Sequence, residues 1–410
     1  AGQQQLTASQ FSAQILPAGN PKTPVMGFNG SSPGPELRVK QGQAVNVLFQ
    51  NRLDEGSAVH WHGIRLQNSM DGVPILTQAI VNPGEDFDYR FTPPDAGTFW
   101  YHSHYASSEQ VERGLYGALI VEDQVSPDVD HDITAIIDDW RLQQDGQFVD
   151  DFSNQHDMGH EGRLGNFARA IFSHKTVQQG DRIRLRLINA ATARVFPLRL
   201  DGLKGKVVAL DGMALDAPSK LSQVTLAPAQ RVDVIADVVD VPQIVFSSRR
   251  GDYFWGEIAV DGYNSTRQPS KIGALPQPNL SKPDLNTPHR LTLDMQGGAM
   301  GGRHNGTDIW AFNDVSGLPP KPFAVFRSGE TAKISLVNST AFPHGIHLHG
   351  QHFFELDDDG LLGVFRDTTL VDAGQSRDIA CVFDNPGRWL LHCHMLGHQA
   401  AGMRTWIEVV

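Results

Sequence analysis

The chain has 410 residues, a formal charge of −12 and a sequence pI near 5.7. That acidic balance argues against a nucleic-acid or anionic-membrane partner, which would want a basic face. No apolar run approaches the length of a membrane span, and two cysteines cannot make a disulfide framework.

Forty glycines, 24 prolines and many short apolar runs between turn residues predict an all-β protein, long enough for two or three domains. The opening AGQQQLTASQ has neither a charged n-region nor an apolar h-region. It reads as a mature exported chain without its signal peptide, or as one trimmed to the same point.

Taken in chain order, the predicted elements repeat. VKQGQAVNVLFQNRL (39–53) joins a turn glycine to an alternating strand, with an asparagine nine residues on, Gly42 to Asn51. Alternation is the period of a strand with one buried face, and glycine supplies the turn that starts it. Nine and eleven residues after the asparagine come His60 and His62, in HWHG. His102 and His104 follow in PPDAGTFWYHSH, the first of them five residues after Gly97.

In the second copy, VQQGDRIRLRLINAA (177–191), Gly180 leads to Asn189, but the matching offsets carry Leu198 and Leu200. Its later stretch RRGDYFWGE has Gly256 five residues after Gly251, and no histidine. Ahead of this copy, SNQHDMGHEGRLGN (153–166) gathers His156, Met158 and His160. A solvated loop is the first reading, with a copper guide or a substrate entrance as the alternative.

The third copy, FRSGETAKISLVNST (326–340), runs from Gly329 to Asn338 and puts His347 and His349 at the offsets of the first, in HLHG. FDNPGRWLLHCH then sets His392 five residues after Gly387. MQGGAMGGRHNG (295–306) reads as a glycine-rich mobile loop, and LDDDGLL (356–362) as a hairpin. Cys381, in IACVF, reads as a buried strand residue. The Asn-x-Ser/Thr stretches at 29, 264, 305 and 338 read as turns. We expect three β-sandwich domains of one type, at 1–127, 128–265 and 289–410, with a Pro/Ser-rich linker at 266–288. Metal chemistry belongs to the first and third, and the second is a spacer.

With 17 histidines in the chain, about one His-x-His pair arises by chance, yet four occur, all at repeat-equivalent positions. Residues i and i+2 of a strand share a face, about 7 Å apart. Four pairs facing across a domain boundary supply eight imidazoles, enough for three coppers with positions left open for oxygen. Cys393, between His392 and His394, must point the other way. With His344, His398 and a weak axial Met403 it makes the ligand set of a blue-copper site.

HWHG, WYHSH, HGIHLHG and HCHMLGHQAAGM follow the order of the four copper motifs of the multicopper oxidase family. Over essentially its whole length the chain resembles the three-domain, laccase-like, bacterial-type members. The resemblance implies cupredoxin-like Greek-key domains in an extracytoplasmic (periplasmic or secreted) protein with four coppers. Type 1 copper would take His344, Cys393, His398 and Met403, and type 2 His60 and His347. One type 3 copper would take His62, His102 and His394, the other His104, His349 and His392. It also implies one-electron oxidation of a donor at type 1 copper, where His398 is the ligand nearest solvent. Electrons would pass through Cys393 to His392 and His394, and dioxygen would be reduced to two waters.

Asp71, in NSMDGVP, matches a family carboxylate that could relay protons; its plainer reading is an Asp-Gly turn. Many relatives carry an acid where this chain has Gln399, which cannot relay a proton by ionising. Only eight methionines are present, and they form no rich stretch. The expected donor is therefore a phenol or aromatic amine. A cuprous or ferrous oxidase is the enzymatic alternative, and a copper-sequestering protein without turnover the non-enzymatic one. Nothing in the pattern fixes an oligomeric state.

Overall fold

A computed structural model describes residues 2–248, 251–268 and 270–410. Arg249 and Arg250 of the RRGDYFWGE stretch and Pro269 of the linker lie outside the described residues. The architecture is all-β and cupredoxin-like, as expected. No described helix is long and apolar enough to cross a membrane.

Two four-stranded sheets build the N-terminal unit. One orders the strands Thr23–Phe28, Gln4–Ala13, Val45–Asn51 and Asp86–Phe91; the other Leu37–Lys40, Tyr116–Glu122, Gly97–Ser103 and Val59–His62. The C-terminal unit repeats the plan with six strands (Trp310–Phe312, His289–Gly297, Glu330–Asn338, Ser376–Phe383, Phe353–Leu356, Leu362–Arg366) and five (Ala324–Phe326, Arg404–Val409, Gly387–Cys393, His344–Leu348, Thr368–Val371). The hairpin expected at 356–362 joins Phe353–Leu356 to Leu362–Arg366. Cys381 is buried in the strand Ser376–Phe383, also as expected.

Between them lies an eight-stranded sheet around Arg182–Asn189, Phe196–Leu210 and Arg231–Ser248, in which Leu198 and Leu200 are buried core residues. It packs its own core about Leu185, Leu198 and Val234. One apolar cluster, by contrast, runs from Phe49 and Trp61 of the first unit to Trp310, Leu336 and Trp389 of the last. The outer units thus share a core, and their seam is buried.

The repeat has a physical reason. Gly42, Gly180 and Gly329 hold φ of +74°, +92° and +91°, a left-handed turn that a side chain resists. Each asparagine then ties its strand end to the next loop. The Asn51 amide donates to Glu55 O and Val81 O, that of Asn189 to Arg194 O and Leu226 O, and that of Asn338 to Phe342 O and Val371 O. Each side-chain oxygen accepts the N–H two residues on. Asn338 is therefore a buried strand end, which corrects its reading as a turn; Asn29 does lie in one.

Asn338 also holds Thr340, whose hydroxyl donates to its Oδ1 at 2.7 Å and lies 2.8 Å from His344 Nε2. Asn51→Ala and Asn338→Ala should each destabilise the fold, by about 1–3 kcal/mol for every buried group left unpaired. Only Asn338→Ala should also disturb the Cys393 site, seen as a weakened metal–thiolate absorption band in a metal-loaded sample of matched concentration.

Candidate metal centres

Strand pairing brings the four histidine pairs together. Val59–His62 runs antiparallel to Gly97–Ser103 with His60 opposite His102, and His344–Leu348 runs antiparallel to Gly387–Cys393 with His347 opposite His392. All eight imidazoles are buried at the seam. His62 stacks on His347 with centroids 3.8 Å apart, and His60 lies 4.0 Å from His349, so rings from the two outer units interleave.

Donor atoms lie within 4.8 Å of one another in His60/His62/His347, in His62/His102/His394 and in His104/His349/His392. The last two are the trios implied for the type 3 pair. A fourth set is His344, Cys393 and His398, and a fifth adds Asp71 to His60 and His349.

Hydrogen bonds fix which nitrogen each ring offers. The Nδ1–H groups of His60, His102, His347 and His392 donate to the carbonyls of Asp71, Ser103, Asp367 and Cys393 at 2.7–2.9 Å. A neutral ring so bonded leaves Nε2 unprotonated. The Nε2 atoms of His60, His102, His104 and His347, His62 Nδ1 and both ring nitrogens of His394 are buried with no partner. Orphaned acceptors in such number are costly. They converge on one another, so a cation is what satisfies them, and the residues present fit the copper that the motifs imply.

The Cys393 site follows the same rule. Thr340 takes up His344 Nε2, and His398 Nε2–H donates to His160 O at 2.7 Å, leaving both Nδ1 atoms as acceptors. Those Nδ1 atoms are 3.1 Å apart and lie 3.6 and 3.7 Å from Cys393 Sγ. Burial pushes the Cys393 thiol up to about 12, so a metal must displace its proton to bind.

Met403 is buried beside this site, its N–H bonded to His398 O and its carbonyl to Cys393 N–H. The thioether recorded against Cys393 Sγ, at 3.7 Å, belongs to Met395. His398 is fully buried, as are His344, Cys393 and Met403, and the helix Gln155–Gly159 and His160 cover it. The 153–166 stretch is accordingly a cap on this site as well as a loop.

Asp71 combines its two readings. It ends the turn Asn68–Met70, and its carboxylate accepts from His349 Nδ1–H at 2.9 Å, while Oδ1 is buried without a hydrogen bond, 3.3 Å from His60 Nδ1. Gln399 is buried, and its Oε1 also lacks a partner.

Sequence reasoning missed the counterpart of Asp71. Asp367 O accepts from His347, and its carboxylate accepts from His62 at 3.1 Å, as Asp71 O accepts from His60 and its carboxylate from His349. Each carboxylate so spans both outer units. The two differ in one respect. Asp367 is gripped by the buried Arg231 guanidinium of the middle sheet at 2.6 and 2.9 Å, and Arg231 also bonds Thr98 O. Burial works against an ionised Asp367, but Arg231, His62 and the bonds from His347 and His352 hold it well below the usual carboxylate range.

The stretch read as a spacer therefore touches both sites, through Arg231 and His160. Arg231→Gln should cost about 3–5 kcal/mol by stranding a buried charge, and adding Asp367→Asn should recover part of it. Thermal unfolding of the single and double variants checks this.

Three family models described as multicopper oxidase match residues 11–126, 142–247 and 283–410. Multicopper oxidase MmcO of Mycobacterium tuberculosis is 30% identical, over 96% of this chain and 84% of its own. Copper resistance protein A homolog of Pseudomonas syringae pv. tomato is 27% identical, over 97% of this chain and 90% of its own. Among solved structures, Lac15 from a marine microbial metagenome is 53% identical, with a TM-score of 0.88 and all of both chains covered.

Proposed function

Because the chain belongs to the multicopper oxidase family, a copper-dependent oxidoreductase that reduces dioxygen, we propose that it is a laccase-type enzyme taking single electrons from phenols and aromatic amines. The reading assigns four coppers per chain. His344, Cys393 and His398, with Met403, would hold type 1, and His60 and His347 would hold type 2. His62, His102 and His394 hold one type 3 copper, and His104, His349 and His392 the other. The three cupredoxin-like units are 1–127, 128–265 and 289–410, joined by the linker 266–288.

When bound, copper supplies one-electron exchange at the Cys393 set and reduction of dioxygen to water at the histidine cluster. The chain supplies the rest. The observation that carries an oxidase over a storage protein is the strand Gly387–Cys393 and its next residue, His394. Successive side chains there face opposite ways, so the thiolate lies in one site while both neighbouring imidazoles lie in the other. A covalent path of one residue in either direction links them, shortened by the bond from His392 Nδ1–H to Cys393 O at 2.9 Å. Storage needs no such link. Asp71 offers a buried carboxylate oxygen beside His60 on which a proton can be held as water forms. It is the natural substitute for the acid missing at Gln399.

The donor follows from what surrounds the entry. Trp310 lies against His398 at 4.4 Å, and Phe342 packs edge-on to His160 and Trp310. No carboxylate is among the recorded hydrogen-bond partners of His344 or His398 within the described residues. Aromatic packing at the entry, with no carboxylate bonded to either imidazole, favours a neutral phenol over ferrous ion. Oxygen uptake by copper-loaded protein is the test. A methoxyphenol should give the higher kcat/KM against Fe(II), and the reverse order would defeat the reading.

A further inference from the structure

We propose that Gln110 is a positioning residue for His102 and His104. Its side-chain amide ties together, in the first outer unit, the groups that stand where the Cys393 site stands in the last. It rests on the reading of those two histidines as cluster ligands and adds the group that aims them.

The correspondence follows from register. His60 lies opposite His102 as His347 lies opposite His392. Ser57, three residues before His60, therefore takes the place of His344, and Ser103, between His102 and His104, takes that of Cys393. Backbone bonds extend the match. His104 N–H donates to Ala58 O as His394 N–H donates to Gly345 O. Ser103 N–H donates to Leu115 O and Leu115 N–H to Gln110 O, just as Cys393 N–H donates to Met403 O and Met403 N–H to His398 O. Gln110, at the end of the short helix Ser107–Gln110, thus takes the place of His398, and Leu115 that of Met403.

Two hydroxyls and an amide so stand where the last unit has a thiol and two imidazoles. Ser57, Ser103 and Gln110 are fully buried. Both hydroxyls donate to Gln110 Oε1, from Ser57 at 3.0 Å and from Ser103 at 2.5 Å, and Gln110 Nε2–H donates to Gly56 O at 2.8 Å. None of their side-chain atoms is left without a partner, unlike the imidazoles at the seam. A neutral cluster that satisfies itself has nothing left to offer a cation.

What it does offer is a cross-link. Ser103 is flanked by both histidines, and its carbonyl accepts from His102 Nδ1–H at 2.9 Å. Gly56 and Ser57 lead directly into Ala58, whose carbonyl receives His104 N–H. One amide therefore fixes both sides of the bond that seats His104, and does so from the face of the strand turned away from the cluster. Partners one bond removed from a ligand set its orientation and the affinity of the metal it holds.

The test sets copper affinity against stability. Copper-free protein is titrated anaerobically with Cu(I) against bicinchoninate. After reoxidation in air, the copper–thiolate band counts the Cys393 site, and total bound copper gives the cluster by difference. Gln110→Ala should lower cluster affinity by about ten-fold or more and leave the thiolate band at its wild-type strength. It also strands two buried hydroxyls, so its melting temperature should fall. Ser57→Ala, which removes one of the two bonds to Oε1, should weaken the cluster in smaller measure. The triple variant Ser57→Ala/Ser103→Ala/Gln110→Leu has no stranded hydroxyl and should regain melting temperature, yet it lacks the cross-link, so cluster affinity should stay low. Affinity that returns together with stability in the triple variant would mean a packing role only and overturn the proposal. Equal cluster affinity in wild type and Gln110→Ala would overturn it alone, whereas wild-type protein that bound no copper beyond the Cys393 site would defeat the cluster reading and this inference with it.

Discussion

Cys393→Ser is expected to abolish oxygen uptake with every donor while leaving the histidine cluster able to take up copper. The serine hydroxyl is close to the thiol in size and is buried in the same place, so the strand Gly387–Cys393 keeps its pairing with His344–Leu348 and Arg404–Val409. What it lacks is a soft, ionisable donor facing the Nδ1 atoms of His344 and His398. Those two nitrogens then stand alone, and copper at this position is held weakly or lost. Turnover should fall by about a thousand-fold or more, as when one member of a unit that acts together is removed. Loss of the copper–thiolate charge-transfer band, with a paramagnetic copper signal retained from the histidine cluster, separates this result from general misfolding. A variant that still consumed oxygen at a tenth of the wild-type rate would mean that electrons reach the cluster without Cys393.

The residues that periodicity could find are those whose partners are set by local geometry. His60 and His62 share a face because a strand alternates, and the asparagine before them ties the end of the preceding strand to the loop that leads to theirs. The fold class and the grouping of the four histidine pairs follow from such short-range rules repeated three times. Asp367 and Arg231 obey no short-range rule. They meet across 136 positions, Arg231 on the middle sheet and Asp367 at the bend between Leu362–Arg366 and Thr368–Val371, and FRDTTL and PAQRVD carry no spacing that announces the pairing. The cover over His398 arrives from His160, 238 positions earlier, and no spacing in the sequence announces it. Met395 shows the same limit at close range. Adjacency in HCHM does not say which of two thioethers turns toward the sulfur, and it is Met395 whose sulfur is recorded beside Cys393 Sγ.

Copper-free protein should lose stability steeply as pH falls below about 6.5, the ordinary histidine value, whereas copper-loaded protein should not. Burial in the first place, and then repulsion from neighbouring rings, holds His62, His102, His104, His349, His392 and His394 well below that value. Burial and His398 do the same for His344, and burial alone lowers His398 to about 4. A histidine whose folded pKa lies below its unfolded one binds a proton more readily when the chain unfolds. Its contribution is therefore whole above about 6.5 and drains away as pH drops toward the folded value. One pH unit below the ordinary value each such group costs about 1.4 kcal/mol. These eight together reach on the order of 10 kcal/mol, comparable to the whole stability of a domain. Asp367 is an anion against this set, but its ionisation is already committed to Arg231. A bound cation occupies the nitrogen lone pairs and competes with the protons, so loading with copper should flatten the profile. Melting curves of both forms between pH 8 and pH 5 test this. Parallel decline in the two would mean that the imidazoles at the seam are not where the metal binds.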